Sequence, residues 1–224
     1  MEPKSALLLG ASGLVGEHCL LYLLEEPSYT KVTVLVRKPL AIVHEKLVQH
    51  VVDFSALEIL GECLSVDDVY CCLGTTIKKA GTQDAFRKVD FDYPVKIAAL
   101  SQHCGANQFL LVSSLGADPH SRIFYNRVKG EVEEAIQKIS FTAFHVFRPS
   151  LLLGERKEHR AGEKVGAAGM TALKHVMIGP LRKYRAIQAS DVAKAMVRVA
   201  QMNLTGVNIF ESQRIQEIAD EKVG

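Results

Sequence analysis

An α/β fold, a parallel sheet wound on both faces by helices, is the architecture this sequence predicts. Three observations carry that expectation. Apolar runs alternate with longer stretches of helical periodicity through most of the chain, the pattern of a parallel sheet with covering helices. The apolar runs, such as Leu7-Leu8-Leu9, are near-continuous rather than alternating, as expected when both sheet faces are covered. The first run also ends in a glycine-spaced turn, Gly10-Ala11-Ser12-Gly13-Leu14-Val15-Gly16, that opens directly into a helical stretch.

Taken in order, Ser5 to Leu9 reads as the first strand. Leu14 to Leu24 reads as a helix with an apolar stripe of leucines. Lys31 to Val36 is the second strand, Val51-Val52 a short third and Val69 to Leu73 the fourth. Thr82 to Cys104 has helical periodicity with a bend expected near Pro94, because proline lacks the N–H that a helix interior needs. Gln108 to Ser113 is the fifth strand, Phe124 to Lys138 a helix, and Phe141 to Phe147 the sixth strand. Beyond Pro149 the pattern loosens. Gly154 to Gly169 carries glycines together with Arg156, Lys157, His159, Arg160 and Lys164. Residues 150–183 are therefore expected to form a loop or lid, a small C-terminal extension on the substrate side. Ser190 suits the N-cap of a helix through Met202. Val207 to Phe210 is a plausible last strand and Gln213 to Lys222 a terminal helix.

The chain has 224 residues, 48% of them apolar, enough for one domain over 1–224 with one core. A formal net charge of +2 gives no global reason to expect nucleic acid or an anionic membrane as partner. No apolar run approaches the roughly 18–20 residues of a membrane span. The start of the chain does not resemble a secretory leader, which points to the cytoplasm. Cys71 and Cys72 are neighbours in an apolar run, so they are expected on opposite strand faces as reduced, buried thiols. No cysteine or histidine spacing suits a metal.

The Gly10–Gly13–Gly16 spacing is a chemistry-bearing pattern in this context. Glycine permits the tight turn and close helix–strand packing, and it lets backbone N–H groups approach a pyrophosphate. The expected contacts are Gly10, Ser12, Gly13, Leu14, Val15 and Gly16, on a Rossmann-type fold. Past the second strand, a protein that prefers NAD commonly carries an acidic residue for the ribose hydroxyls. Here the strand ends in Arg37-Lys38. A guanidinium can grip a 2′-phosphate with two charge-assisted bonds, so NADP(H) is the expected cofactor. The plainer alternative is that both cations are solvated. Asp53 is placed for the adenine amino group, or else simply starts a turn. Leu73, Gly74 and Thr75, after the fourth strand, are expected to pass beside the cofactor. Leu152 and Arg160 are expected to do so from the substrate side, Arg160 reaching a phosphate or an anionic substrate group.

Ser113-Ser114 ends the fifth strand, and Tyr125 and Lys129 lie four residues apart in the next helix, on one face. A lysine cation beside a tyrosine stabilises tyrosinate, which suits proton exchange with a carbonyl or alcohol. Lys129 can also hold the nicotinamide ribose. Ser114 is the candidate for orienting the reacting oxygen, although the sequence does not decide between Ser113 and Ser114. A tyrosine and lysine four apart are common by chance; the ordered set of glycine loop, serine strand end and Tyr/Lys helix is not.

These motifs resemble the short-chain dehydrogenase/reductase superfamily, in its extended or atypical branch. Within it the chain is most similar to the Tat-interacting-protein-like oxidoreductases and their bacterial relatives. The matching stretches are Cys71-Cys72-Leu73-Gly74-Thr75-Thr76, Lys79-Ala80-Gly81, Val89-Asp90, Ser113-Ser114, Gly116-Ala117-Asp118, Val128-Lys129-Gly130-Glu131-Val132-Glu133 and Phe147-Arg148-Pro149. The resemblance implies a Rossmann fold, NADPH and a Ser/Tyr/Lys catalytic set. Two departures from the wider superfamily stand out. Leu73-Gly74-Thr75-Thr76 replaces an Asn-Asn-Ala-Gly type of turn, and Asp90 stands where many relatives have asparagine. The part after the sixth strand is also short for a sugar-nucleotide epimerase. The expected activity is reduction of a small carbonyl substrate. The competing reading is a non-catalytic NADPH-binding regulator or sensor that acts through protein partners; the macromolecular partners considered are another protein or a second copy of this chain in a homodimer. Epimerisation with tightly held NAD is disfavoured by Arg37.

Overall fold

The computed structural model describes residues 3–55, 64–154 and 185–221. Its elements run β1 Lys4–Leu9, α1 Leu14–Glu25, β2 Tyr29–Val36, β3 Leu47–Val51, β4 Asp68–Cys71, α2 Ile77–Ala80 and α3 Gln83–Arg87. A π-helical turn, Lys88–Asp92, leads into α4 Tyr93–His103 and β5 Gln108–Val112. Then follow α5 Phe124–Gln137, β6 Ala143–Arg148, β7 Leu152–Leu153, β8 Ile187–Gln188, α6 Ala189–Ala200, β9 Gly206–Glu211 and α7 Ser212–Asp220. The main sheet has seven parallel strands in the order β3-β2-β1-β4-β5-β6-β9. The strand order reverses between β1 and β4, and the crevice beyond the strand ends at such a point is where ligands bind.

Alternation within each strand divides the core. Ala6 and Leu8 of β1 face α1, α6 and α7, packing with Leu20, Leu23, Met196 and Ile215. Leu7 and Leu9 face the opposite side, with Ile97 of α4 and Val132 and Ile136 of α5. Cys71 belongs to the second layer while Cys72 packs against the first, and both are free thiols, as expected. At the other end of the strands Tyr29 Oη donates to Asp68 Oδ2 at 2.6 Å and lies 2.7 Å from Tyr70 Oη. This ties β2 to β4 through side chains that are fully buried.

Boundaries differ from the sequence reading in ways that have physical causes. The third strand lies at Leu47–Val51 rather than Val51-Val52; its register against Val32 to Val36 of β2 is set by backbone pairing, and its residues are only half-buried, so its hydrophobic signal is weak. Leu73 lies beyond the end of β4. Gln188, not Ser190, is the cap of α6, with no side-chain capping bond. The long stretch from Thr82 is broken. Thr82 caps α3 with its side chain, and the π turn follows before α4. Pro94, at the start of α4, has no N–H to return to the carbonyl of Asp90. The chain resolves this by widening one turn, and the Tyr93 N–H reaches back five residues to the Lys88 carbonyl. Near Pro94, where a bend is expected, the helical stretch is interrupted by this π turn.

The glycine loop is where backbone meets backbone. Gly10 has φ +79°, and a Cβ there would lie 2.5 Å from the Cys72 carbonyl oxygen. A Cβ on Gly16 would lie 2.0 Å from the Gly10 carbonyl oxygen. Gly16→Ala therefore forces α1 away from β1. The variant should lose at least about 1–3 kcal/mol of unfolding free energy, read as a lower urea midpoint; wild-type stability would overturn this account of the loop.

Candidate functional site

A cleft of about 610 Å³ opens over the switch point. The glycine turn forms one wall, with Ser12, Gly13, Leu14 and Val15. Gly13 is the N-cap of α1 and donates to the Gly10 carbonyl at 2.8 Å. The first N–H groups of α1 have no partner within the helix, and the positive end of its dipole lies here. Such a cradle, which a Cβ would fill, fits a pyrophosphate. Leu73, Gly74 and Thr75 form the floor, and Arg37 and Leu152 also line the cleft.

The helix α5 brings the candidate catalytic pair to the same cleft. Tyr125 and Lys129 both line it, one turn apart. The Tyr125 ring leans on Phe86 of α3, with centroids 5.7 Å apart, and Phe86 is fully buried. Lys129 is 4% exposed, and its Nζ lies 2.8 Å from Asp90 Oδ1. Asp90 is itself buried in the π turn, and its other oxygen accepts the Thr75 N–H at 2.9 Å. Burial alone would push the Lys129 ammonium toward neutrality. The Asp90 carboxylate and Tyr125 outweigh it, and the lysine is held above its ordinary range. One helical irregularity thus fixes both the cation and the loop after β4.

The two serines are separated by the strand that carries them. Phe109 and Leu111 of β5 face α4 and α5, whereas Leu110 and Val112 face the other layer. Ser113 continues the first set, lines the cleft and donates to Glu133 of α5. Ser114 is not among the lining residues; its Oγ is buried and, among the described residues, has no hydrogen-bond partner. The structure therefore brings Ser113 rather than Ser114 alongside Tyr125 and Lys129.

Other expected contacts divide. Gly10 and Gly16 lie behind the cleft wall, shaping it rather than lining it. Lys38 is exposed beyond the lining. Asp53 is exposed at the turn after β3, where its Oδ1 accepts the Ser55 N–H at 2.9 Å, which lowers its pKa. That is the turn-forming role weighed against an adenine contact. Arg160, and with it residues 155–183 of the expected lid, lie outside the described residues. Asp90, Lys79 and Thr76 also line the site without having been expected there, and of the two serines left open by the sequence it is Ser113 that lines it. Asp90 had a signal, since it stands four residues before Pro94, the position whose N–H its carbonyl would accept in a regular helix.

Removing the carboxylate tests the ion pair by its pH signature. In the wild type the raised folded pKa of Lys129 stabilises the chain below about pH 10, and this is lost as pH climbs through the folded value. In Asp90→Asn burial acts without its opponent, so the lysine must fold against its charge. The variant should lose about 3–5 kcal/mol near neutrality, and the deficit should narrow as pH is raised toward 10. Urea unfolding at several pH values reads the sign; a pH-independent difference would count against the pair.

Comparison with known proteins agrees with this architecture. Residues 6–210 match the family described as NAD dependent epimerase/dehydratase. Protein HTATIP2 of Rattus norvegicus is 42% identical over 167 residues, 73% of this chain and 69% of that protein. The Candida albicans protein named FMP52, mitochondrial, is 32% identical over 208 residues, 90% of each chain. Among solved structures, the Helicobacter pylori ADP-L-glycero-D-manno-heptose-6-epimerase superposes with a TM-score of 0.68 at 16% identity, covering all of this chain and 83% of that one. This last likeness speaks to fold alone. The fungal relatives overturn the expectation of a cytoplasmic protein: those of Candida albicans and Aspergillus niger, 32% and 33% identical over 208 residues, are both named mitochondrial. The first residues of the chain therefore do not settle its compartment. No described helix is long and apolar enough to cross a membrane. The seven-stranded parallel sheet, the glycine cradle at its switch point and the match over residues 6–210 place the chain in the NAD dependent epimerase/dehydratase family, within the extended short-chain dehydrogenase/reductase superfamily.

Proposed function

We propose that this protein is an NADP(H)-dependent oxidoreductase that reduces a small carbonyl compound by hydride transfer. The observation that carries the reading is the meeting, in one cleft, of Tyr125, a Lys129 ammonium fixed on buried Asp90, and the glycine cradle. A module that only binds a dinucleotide needs the cradle but not the tyrosine. The residues present fit the cofactor: the start of α1 would hold its pyrophosphate, Arg37 its 2′-phosphate and Lys129 its nicotinamide ribose. When bound, NADPH supplies the hydride. Tyr125 gives its hydroxyl proton to the carbonyl oxygen. The Lys129 cation beside it stabilises the phenolate that remains. Asp90 keeps that cation in place, and the Thr75 N–H keeps Asp90 in place. None of these groups has to reorganise when charge develops, which is the condition under which fixed charges lower a barrier most.

The cofactor assignment rests on Arg37 and on the lack of an acidic residue at the end of β2. NADPH should bind more tightly than NADH in calorimetric titrations. Arg37→Ala should weaken NADPH about tenfold or more, as for a lost charge-assisted contact, and leave NADH nearly unchanged. Equal affinities for the two cofactors would remove the NADP reading.

The chemistry separates from binding in two variants. Tyr125→Phe should reduce turnover of a carbonyl substrate by about 10²-fold or more while NADPH affinity holds. Lys129→Ala should damage both. Turnover by Tyr125→Phe at the wild-type rate would show that the proton comes from elsewhere. NADPH binding without turnover of any member of a broad carbonyl panel would favour a regulatory protein.

A further inference from the structure

The face of α5 that carries Tyr125 and Lys129 continues, at the same four-residue spacing, to Glu133. Glu133 lies below the cleft and is 6% exposed. Arg148, the last residue of β6, grips it with a two-pronged contact: Nε lies 3.1 and 3.2 Å from the two carboxylate oxygens, and Nη2 also bonds Oε2. This partner raises the Arg148 pKa further. A guanidinium has only N–H donors, so a carboxylate gripped in this way faces it with acceptor oxygens.

That settles the polarity of the next bond. Ser113 Oγ contacts Glu133 Oε1, so Ser113 must be the donor. A serine hydroxyl has one hydrogen and two lone pairs. With the hydrogen committed below the cleft, only the lone pairs remain for a group within it. A bare carbonyl oxygen has nothing to donate to them. A hydroxyl does.

We propose that Ser113 is a hydrogen-bond acceptor that selects substrates with a hydroxyl beside the reacting carbonyl: α-hydroxy ketones or aldehydes on reduction, and vicinal diols on oxidation. Glu133 and Arg148 are its positioning pair. The proposal rests on the reductase reading above and names the substrate class for it. The α-hydroxy carbonyl gains hydride at carbon and a proton at oxygen and leaves as the 1,2-diol, with NADPH as the reductant. A substrate that lacks the neighbouring hydroxyl would leave the buried acceptor unpaired, and sites built to bond a substrate hydroxyl reject the analogue without it strongly.

The test uses pairs matched in size, hydroxyacetone against butanone and 2-hydroxyacetophenone against propiophenone, with the full chain and NADPH. The wild type should favour the hydroxy member by at least about tenfold in kcat/KM. Ser113→Ala should bring the ratio near one. Glu133→Gln can donate its amide N–H to Ser113, freeing the serine hydrogen to point into the cleft, so the preference should fall or reverse. A structural role for Glu133 would lower both rates together and leave the ratio alone. Calorimetry adds a second readout: the Tyr125→Phe protein loaded with NADPH should bind the hydroxy member more tightly, and Ser113→Ala in that background should remove the difference. Turnover of both members at similar rates overturns the inference and leaves the reductase reading standing. Failure to turn over any carbonyl overturns the reductase reading, and the binding comparison then decides the inference alone. Loss of NADPH affinity in Ser113→Ala, with no change in either ratio, would show that the serine serves the cofactor instead.

Discussion

The whole arrangement depends on how closely α1 approaches the two central strands. Gly10 and Gly16 leave no room for a Cβ because the helix start, the end of β1 and the end of β4 share one small volume. That closeness brings the first turn of α1, with its unpartnered N–H groups, against the loop after β4. If the helix stood farther off, a side chain would fit, but the cradle would open and the cleft would lose its wall. Stability and binding are thus settled by the same contact. The cost is conformational, since glycine orders from a broader unfolded ensemble than any other residue. The packing of Leu20, Leu23 and Met196 on the face behind the loop offsets it.

Two ion pairs stand at the same end of the sheet, Asp90–Lys129 buried on both sides and Glu133–Arg148 buried on the carboxylate side, and they obey one rule. Asp90–Lys129 and Glu133–Arg148 each join elements distant in sequence, π turn to helix in one case and helix to strand end in the other. Buried pairs return little net stability, because desolvation consumes most of the attraction, while loss of one partner is expensive. Their use here is geometric. Each pair anchors a group that lines the cleft: Lys129 itself in the first, and Ser113 in the second. A charged group fixed at a strand end by a partner on a helix does not drift, and the side chains around it keep their rotamers.

What the sequence showed of this, and what it hid, follows from the kinds of force involved. Strands β1, β2, β5 and β6 were legible because burial on both faces writes a continuous apolar run. The glycine turn was legible because only glycine tolerates those contacts. Strand β3 was misplaced by a few residues because it is half-buried at the sheet edge, and its register comes from backbone pairing, to which sequence is nearly silent. The π turn was visible only as a bend at Pro94, since side-chain periodicity does not record which carbonyl an N–H chooses. Tyr125 and Lys129 could be paired from spacing within one helix. Asp90 and Arg148 could not be paired with their partners, because such pairs cross between elements. Alternation along β5 is what separates the two serines, since Phe109 and Leu111 on the α5 face put Ser113 there as well.

The fate of the two serine hydroxyls narrows where a proton can come from. Ser113 spends its hydrogen on Glu133, and the Ser114 hydroxyl is shut off from the cleft. Neither can share the task of protonating an oxygen above Tyr125 in this arrangement. Under the reductase reading the tyrosine therefore carries proton transfer alone, and its setting has to be correspondingly firm. The Phe86 ring braces its side chain, and Asp90 holds the lysine one turn away. The π turn supplies Asp90 and is preceded directly by the short helix that supplies Phe86, so a single local irregularity before Pro94 serves both supports.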